Sequence, residues 1–475
     1  MKKTVMRLVS LLMVGALLVG CTSGTGGGAQ TTATTSSSTT TTATTVMTAT
    51  TTTAVPITTT EVTTTAPTTS EGTAVTTKTT TTTTKTTTTT TTAIPQPRTK
   101  DLMATVSAKA VDTKTVDETF YKAYTEFALE FFKKSHTDDN VLVSPFSVEM
   151  VLAMLANGAN GTTKAELETA LGLPVDDLNK YLKDYMLGLP NGAKLANAIW
   201  FNNKATIKDS FLQTNADYYS AELYQSKFDD DTVKDINGWV SKNTDGMIKE
   251  MIDSLDPAGV MVLVNTVFFD MRWETTYSER QVTDDVFTTD DGEKRAVEMM
   301  NETRNMVYIE TEHETGFAKP YVDGYYNFVA LLPSEGTSIE DYVRNLSTAR
   351  VREFWKAGST QVKTSIPKFT IEYEAEMDDV LDALGIHAMR DPFAADFNGI
   401  GKNLYVDEIK HKAKIEVDEV GTKAAASTSA TIKAGSVMKP YTPPTVILNR
   451  PFVYMIVDNT TGLPIFIGSV TDIGK

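Results

Sequence analysis

The sequence EVDEVGTKAAASTSATIK, residues 416–433, contains the segment on which the interpretation of the fold depends. From Thr422 to Lys433 it consists of small, β-compatible residues and contains neither proline nor glycine. In a strand, alternate side chains would point to opposite faces. Both lysines would then lie on one face, and the other face would be small and uncharged: Thr422, Ala424, Ala426, Thr428, Ala430 and Ile432. Such a strand suits burial on one side and solvent on the other, and a flexible surface loop is the alternative.

Around this segment, the sequence predicts helices first and strands later. Capping-box spacing at Thr115–Glu118 and Thr163–Glu166, together with the Ser144–Pro145 pair, predicts the starts of three helices. Nearly continuous apolar runs predict buried central strands, and the C-terminus predicts a hairpin; these strands cover residues 195–201, 261–269, 451–457 and 464–470. This order of elements predicts an α+β fold.

The sequence contains no motif that indicates an enzyme. It lacks a nucleophile elbow, a zinc-protease helix motif, a Walker A loop and a dinucleotide-binding glycine pattern. The four histidines are widely spaced, so no metal site is predicted, and His411 is interpreted as a hydrogen-bonded core residue. Cys21 is the only cysteine, which excludes an intrachain disulfide. We therefore expect a protein that is not an enzyme and uses neither a metal nor another cofactor.

Charge and aromatic content divide the chain into two parts. The first 99 residues carry six basic and two acidic side chains, a net charge of +4. Since the whole chain has a net charge of −16, residues 100–475 carry −20. An acidic domain of this kind repels nucleic acid and anionic membranes, and we expect it to be soluble and monomeric. Because no aromatic residue precedes Phe120, the folded core is expected in the last three-quarters of the chain.

The N-terminus predicts export and attachment to a membrane. Basic residues precede the apolar run 8–19, and the sequence Leu18-Val19-Gly20-Cys21 resembles a bacterial lipobox. We therefore assign residues 1–20 to a lipoprotein signal peptide, 21–110 to a lipidated cysteine with a Thr-rich disordered linker, and 111–475 to the folded domain. The expected location is the extracellular face of a bacterial cell membrane, with the lipid on Cys21 as the only membrane contact. An ordinary signal peptide and a secreted protein are the alternative.

Several segments, taken in order, resemble the serpins, the serine-protease-inhibitor family. The match runs from about Val116 to Val470. Its pieces are NVLVSPFS (140–147), LVNTVFF with Arg272-Trp273 (263–273), IPKF (366–369), LGI (384–386), ADFNGI (395–400), HKA (411–413), EVDEVGTKAAA (416–426) and NRPF (449–452). Each piece alone is weak, whereas the ordered set is very specific.

The resemblance implies a fold and a set of structural residues. The fold has three β-sheets, a cluster of helices and an exposed reactive-centre loop. The implied hinge of that loop comprises Glu419, Gly421, Thr422, Ala424, Ala425 and Ala426. The regions that the family calls the shutter and the breach, in the middle and at the top of the main sheet, are implied at Ser144, Ser147, Asn265, Trp273 and His411.

The resemblance also implies suicide inhibition of a serine protease. The protease would attack the loop and form a covalent acyl-enzyme, and the cleaved loop would insert into the main sheet before the acyl-enzyme is hydrolysed. Counting from Glu419 places the reactive bond at Gly435-Ser436, whereas counting back from residues 443–452 places it near Pro440. Val437-Met438 and Met438-Lys439, which lie between these positions, also remain open. Most of these residues favour an elastase- or subtilisin-like target, and Lys433-Ala434 keeps a trypsin-like target open. The alternative function is that of a non-inhibitory serpin acting as a cell-surface binding protein.

Overall fold

The computed structural model describes residues 98–189, 192–422 and 442–474. Within these ranges the helices concentrate in the first half of the folded part. They are α1 (Glu118–Ser135), α2 (Pro145–Ala156), α3 (Gly161–Leu171), α4 (Val175–Gly188), α5 (Asp209–Tyr219), α6 (Asp230–Asn243), α7 (Ile339–Arg344), α8 (Thr348–Phe354) and α9 (Asp378–Ala383). Short 3₁₀ helices cover Glu279–Gln281, Val322–Gly324 and Ala388–Arg390. No helix in these ranges has both the length and the apolar character needed to span a bilayer.

The strands of the described residues follow mostly after α6. The first nine are β1 (Lys100–Asp101), β2 (Val141–Val143), β3 (Ala193–Asn202), β4 (Glu222–Ser226), β5 (Met261–Phe269), β6 (Met271–Arg272), β7 (Val282–Thr288), β8 (Lys294–Glu310) and β9 (Glu314–Pro320). The others are β10 (Tyr326–Pro333), β11 (Ser359–Pro367), β12 (Phe369–Glu376), β13 (Glu408–Val417), β14 (Gly421–Thr422), β15 (Thr445–Ile447), β16 (Phe452–Asp458) and β17 (Pro464–Val470). The predicted α+β class and the C-terminal hairpin β16–β17 are confirmed.

The first sheet has the strand order β1-β4-β3-β5-β13-β14-β6, with β12 also paired to β13. Its centre is the parallel pair β5–β13, in which Glu408 lies opposite Val262 and Lys414 opposite Phe268. All nine residues of β5 are buried. Both faces of β5 are covered, because successive side chains point to opposite faces of the sheet. Leu263 packs in the core that contains α2, whereas Val262 and Val264 pack in a second cluster with α6 residues. The strand is therefore covered on both faces, as its continuous apolar sequence predicts.

The second sheet has the order β15-β11-β8-β9-β10-β16-β17-β2, with β7 also paired to β8. Three sheets were expected, whereas the described strands form two hydrogen-bonded sheets. The physical reason is the length of β8, whose first part pairs with β7 and β11 and whose last residues, Val307–Glu310, pair with β9. This strand therefore joins two groups of strands into one continuous ladder.

The starts of two helices differ from the sequence prediction. Asp117, not Thr115, caps α1, because its carboxylate accepts hydrogen bonds from the amides of Thr119 and Phe120. Helix α3 begins at Gly161, so Thr163 lies inside it and accepts a hydrogen bond from the Asp396 amide instead. Ser144 does cap α2, with Pro145 in the first turn as predicted.

Residues 98–114 pack against the folded part of the chain, although residues up to 110 were assigned to the linker. Strand β1 pairs with the edge strand β4, and the amide of Leu102 donates to the Leu223 carbonyl over 2.9 Å. Farther along, the amide of Lys109 donates to the Asp217 carboxylate over 2.6 Å. Leu102, Met103 and Val106 are partly buried against the core. This segment is called the N-terminal strap below.

Candidate functional site: the hinge, breach and shutter of the first sheet

The described part of the predicted hinge already lies in the first sheet. Strand β14 is hydrogen-bonded between β13 and β6: Thr422 lies opposite Val417 on one side and opposite Met271 on the other. Thr422 is fully buried, and its hydroxyl lies 2.6 Å from that of Tyr321. A Cβ at Gly421 would lie 2.3 Å from the Met271 carbonyl oxygen, so this position requires glycine.

A tight turn reverses the chain between β13 and β14. The Asp418 carboxylate accepts hydrogen bonds from the amides of Val420 and Gly421 over 2.7 Å and 3.0 Å, and the Asp418 amide donates to the Gly421 carbonyl. Aspartate favours such turns because its short side chain reaches backbone amides two and three residues farther on. The turn therefore makes β14 antiparallel to β13.

Two aromatic residues hold this turn from the side, at the predicted breach. The Trp273 indole donates to the Asp418 carbonyl over 2.8 Å, and the Trp273 amide donates to the Val420 carbonyl over 3.0 Å. The Tyr277 amide donates to the remaining carbonyl of the turn, that of Glu419, over 2.8 Å. The Trp273 ring also stacks on Tyr321 at 4.6 Å between centroids. We call Trp273 and Tyr277 the hinge clamp.

The Glu419 side chain is fixed by a lysine from the neighbouring strand connection. Lys368 lies between β11 and β12, and its Nζ is 3.0 Å from a Glu419 carboxylate oxygen and 3.1 Å from one of Glu298. All three side chains are partly exposed, so this pair contributes little to stability. The pair connects the turn after β13 to the β11–β12 connection.

The predicted shutter residues meet beneath the middle of the same sheet. His411 is fully buried, and its Nδ1 lies 2.7 Å from the Asn265 Oδ1. The Ser144 amide donates to the His411 Nε2 over 3.3 Å, so the ring proton is on Nδ1 and is donated to Asn265. The Asn265 amide group in turn donates to the Ser147 hydroxyl and the Asn197 Oδ1. The network thus connects α2 to β3, β5 and β13.

Burial sets the protonation state of this network. It lowers the pKa of His411 to about 4, because no ionised partner offsets the loss of water around the ring. His411 is consequently neutral at physiological pH. Since Asn265 and His411 lie directly opposite each other on β5 and β13, their hydrogen bond joins the two strands in addition to the backbone ladder.

Comparison with known proteins identifies this arrangement. The family model described as Serpin (serine protease inhibitor) matches residues 122–473, most of the chain. The chain belongs to the serpin family. The family is one of protease inhibitors and not of catalytic enzymes.

The serpin is similar to proteins from distant organisms. It is 31% identical to human glia-derived nexin over 367 residues, which cover 71% of this chain and 88% of the nexin. A serpin-like protein of Thermococcus kodakarensis is 30% identical over 361 residues, which cover 73% of this chain and 84% of that protein.

This chain is similar to two crystal structures of the thermophilic serpin tengpin, one in the native state and one in the latent state. The native form aligns with a TM-score of 0.76 at 43% identity, over 79% of this chain and all of tengpin. The latent form aligns with a TM-score of 0.68 at 42% identity, over 76% of this chain and all of that chain. The serpin resembles the native form more closely. Below β14, residues 262–268 of β5 pair directly with residues 408–414 of β13, so no strand lies between them there.

The eight nominated residues that the structure describes fall into two groups. Glu419, Gly421 and Thr422 meet Trp273 at the top of the sheet, and Ser144, Ser147, Asn265 and His411 form one network below it. Ala424, Ala425, Ala426, the candidate reactive-bond residues Gly435, Ser436, Val437, Met438 and Lys439, and Cys21 lie outside the described residues.

Sequence reasoning missed four residues of this site: Asn197, Tyr277, Tyr321 and Lys368. Lys368 was part of a matched motif but had no assigned role, and its pairing with Glu419 could have been suspected from opposite charge. The other three had no signal in the sequence, because their contacts join residues 68 to 142 positions apart. In the described ranges, no group of three or more His, Cys, Asp or Glu side chains is arranged to hold a metal ion.

Proposed function

We propose that this serpin is a suicide inhibitor of serine proteases that traps the acyl-enzyme by inserting its cleaved loop between β5 and β13. One observation carries the proposal: β14 already occupies the position of an additional strand at the top of the first sheet, paired on both sides. Insertion would extend β14 downward and would not need to start a new strand, which is the costly step in building a ladder.

The pairing of β14 defines the register that insertion would follow. Thr422 lies opposite Val417 and Met271, and Gly421 lies opposite Arg272. Continued in the same register, residue 426 would come opposite Ala413 and Val267, and these two residues already face each other in the β5–β13 pair. The pairing with β13 and the pairing with β6 therefore predict the same register. One antiparallel strand could enter between β5 and β13 without a shift in that register.

The side chains of residues 423–432 suit that position. Thr422 is buried, so in this register Ala424, Ala426, Thr428, Ala430 and Ile432 would share its buried face. Lys423 would point to the opposite face and lie between Glu416 and Asp270. Insertion would thus bury small side chains and place the lysine beside two carboxylates.

The insertion must separate contacts before it makes new ones. It would break the parallel β5–β13 ladder and the hydrogen bond between His411 and Asn265, because Thr428 would enter between these two residues. The new strand would form antiparallel ladders on both sides, and each added hydrogen bond contributes about 0.5–1.5 kcal/mol net. The closed sheet is therefore a kinetically trapped state whose conversion is favourable once cleavage frees the loop.

The chemistry itself is supplied by the protease. Its serine oxygen attacks the carbonyl of the scissile bond, an ester forms, and the new amino terminus of the serpin's C-terminal part leaves. Water would next hydrolyse the ester, so the outcome depends on whether insertion precedes hydrolysis. The serpin contributes no catalytic group. Its contribution is the rate at which β14 extends into the sheet.

The target is proposed to be an elastase- or subtilisin-like protease. Gly435-Ser436 is the first candidate for the reactive bond, with Val437-Met438 and Met438-Lys439 as alternatives, and these mostly present small or unbranched apolar residues to the protease. Lys433-Ala434 would instead suit a trypsin-like enzyme. All these candidates lie beyond residue 432, so cleavage at any of them would leave the small, uncharged face intact for insertion.

A mixing experiment tests the proposal. The serpin is incubated with elastase, subtilisin and trypsin separately, and the products are separated on a denaturing gel. We expect a serpin–protease band that survives denaturant, and N-terminal sequencing of the released peptide identifies the cleaved bond. Complete cleavage by every protease of the panel, without any such band, would contradict the proposal and support a non-inhibitory surface protein.

We also propose that the inhibitor acts at the outer face of the cell membrane, held there by lipid on Cys21. The basic start, the short apolar run and the lipobox-like sequence before Cys21 support this location. The Thr-rich residues that follow would serve as the spacer between membrane and inhibitor. In this position the inhibitor would meet proteases that arrive from outside the cell.

A further inference from the structure

A buried ion pair lies directly behind the hinge clamp. Lys319, on β9, has no exposed side-chain surface, and its Nζ donates to the Glu302 carboxylate of β8. The Glu302 side chain is 6% exposed. The Lys319 Nζ also donates to the Thr275 carbonyl over 3.3 Å, and the Tyr277 hydroxyl donates to Glu302 over 3.1 Å. An ion pair this deeply buried has a high desolvation cost, so its retention needs an explanation.

The lysine contacts both aromatic rings of the hinge clamp. Its Nζ lies 4.3 Å from the centroid of the Tyr277 ring and 5.2 Å from that of the Trp273 ring. Both distances are within the range of about 6 Å in which a cation attracts an aromatic face. The same two residues donate three hydrogen bonds to the carbonyls of Asp418, Glu419 and Val420. Lys319 is thus connected to the described part of the hinge through the clamp.

We propose that Lys319 is a positioning residue for loop insertion: its charge holds the rings of Trp273 and Tyr277 so that their donors keep the turn 418–420, and with it β14, in register. The effect of Lys319 on inhibition rests on the proposed inhibitory function. Its effect on the position of the hinge does not, because that position is measured without protease. A released turn would let Gly421 and Thr422 leave the sheet, and insertion would then lack its preformed start.

Charged and titratable groups face Lys319 from two elements. Glu302 and Arg304 face it from β8, and Glu274 and Tyr277 face it from the segment after β6. Burial lowers the pKa of Lys319 to about 8, and Glu302 opposes that decrease. Arginine at the same position would stay charged at every accessible pH, whereas methionine would fill similar space without charge. These two replacements separate the effect of charge from that of packing.

Hydrogen–deuterium exchange of the intact serpin, without protease, measures the position of the hinge. In a peptide covering residues 417–422, we expect Lys319→Met to increase amide exchange about 30-fold, the factor to which the loss of a desolvated cation–π contact of about 2 kcal/mol corresponds. Lys319→Arg should keep the exchange of the parent. Between pH 7 and pH 9, the ratio of parent to Lys319→Arg exchange should rise, because only the parent loses the charge. Equal exchange of all three proteins at both pH values would overturn the inference.

Lys319→Met leaves Glu302 buried without its cation and can prevent folding. The double variant Lys319→Met/Glu302→Gln removes both charges and should fold, and it should show the same rapid exchange at the hinge. Parent-like exchange in the double variant would also overturn the inference. The yield of covalent complex with protease is then measured for each variant. Absence of complex with the parent contradicts the proposed function alone, since hinge exchange is measured independently.

Discussion

The hydroxyl oxygen of Thr422 lies 2.6 Å from that of Tyr321, and both side chains are fully buried. Tyr321 in turn stacks on Trp273, whose indole and amide hold the turn before β14. The first inward-pointing side chain of the hinge is therefore in place before a protease is bound. This contact connects the loop to the breach and makes Thr422 a sensitive position for testing insertion.

Thr422→Arg should convert the inhibitor into a substrate. A long charged side chain cannot occupy the buried site beside Tyr321 without losing hydration, at a cost of several kcal/mol. The hinge would leave the sheet, whereas the candidate reactive bonds beyond residue 432 would be unchanged, so acylation should continue and insertion should slow. The measurement is the ratio of covalent complex to cleaved, free serpin, which we expect to fall at least tenfold.

Lys423→Arg is the matched control for this change. It is the next residue along, it is expected on the solvent face of the inserted strand, and it keeps its charge. Its complex ratio should stay close to that of the parent. If Thr422→Arg traps protease as efficiently as Lys423→Arg, then residues 422–432 are not the inserting strand.

His411 should make the stability of the closed sheet depend on pH. Its pKa is about 4 in the folded protein and 6.5 without perturbation, so the unfolded chain binds the additional proton between these values. The stabilising contribution is therefore complete above pH 6.5 and is lost as the pH falls toward 4, a change of about 3 kcal/mol.

The measurement is the urea-unfolding midpoint at pH 7 and at pH 4.5 for the parent and for His411→Gln. Glutamine can accept from the Ser144 amide and donate to Asn265, but it does not titrate. The parent should lose more stability on acidification than the variant does. An equal loss in the two proteins would show that His411 does not couple to pH in this way.

The N-terminal strap should stabilise the folded domain. Removal of residues 1–110 eliminates the β1–β4 pairing and exposes the surface covered by Leu102, Met103 and Val106. We expect the free energy of unfolding to decrease by about 2–4 kcal/mol, given that these side chains are only partly buried. The measurement is denaturant unfolding of two variants, one that lacks residues 1–110 and one that lacks residues 1–97. The second variant keeps the strap. Coinciding midpoints would show that the strap adds nothing to stability.

Cys21→Ser should release the protein from the membrane. Serine cannot receive the lipid, so the parent should fractionate with membranes and the variant should appear in the soluble or culture fraction. The folded domain is far from this position in sequence, and protease inhibition by the released variant should equal that of the parent. Equal membrane association of the two proteins would exclude the lipid anchor.

The sequence by itself determined the family and the local elements that depend on near neighbours. The ordered motifs from Val116 to Val470 led to the serpin family, which the family model confirms. The α2 cap at Ser144, the buried strand β5 and the hairpin β16–β17 were predictable because their signals lie within a few residues. The same local rules placed two helix starts wrongly, because Asp117 was the better cap and Thr163 bonded to a distant amide.

Only the tertiary structure decided which residues contact the turn before β14 and the network around His411. Asn197, Tyr277, Tyr321 and Lys319 reach the shutter or the breach from strands and loops far apart in sequence, and nothing in their local sequence marks them. The second sheet, too, is one continuous sheet because β8 pairs with β7 and β11 in its first part and with β9 in its last residues, which no local pattern specifies. Hydrogen bonds and ion pairs between distant segments depend on where packing brings those segments together. A sequence therefore indicates that a hinge exists, and the packed fold determines what holds it.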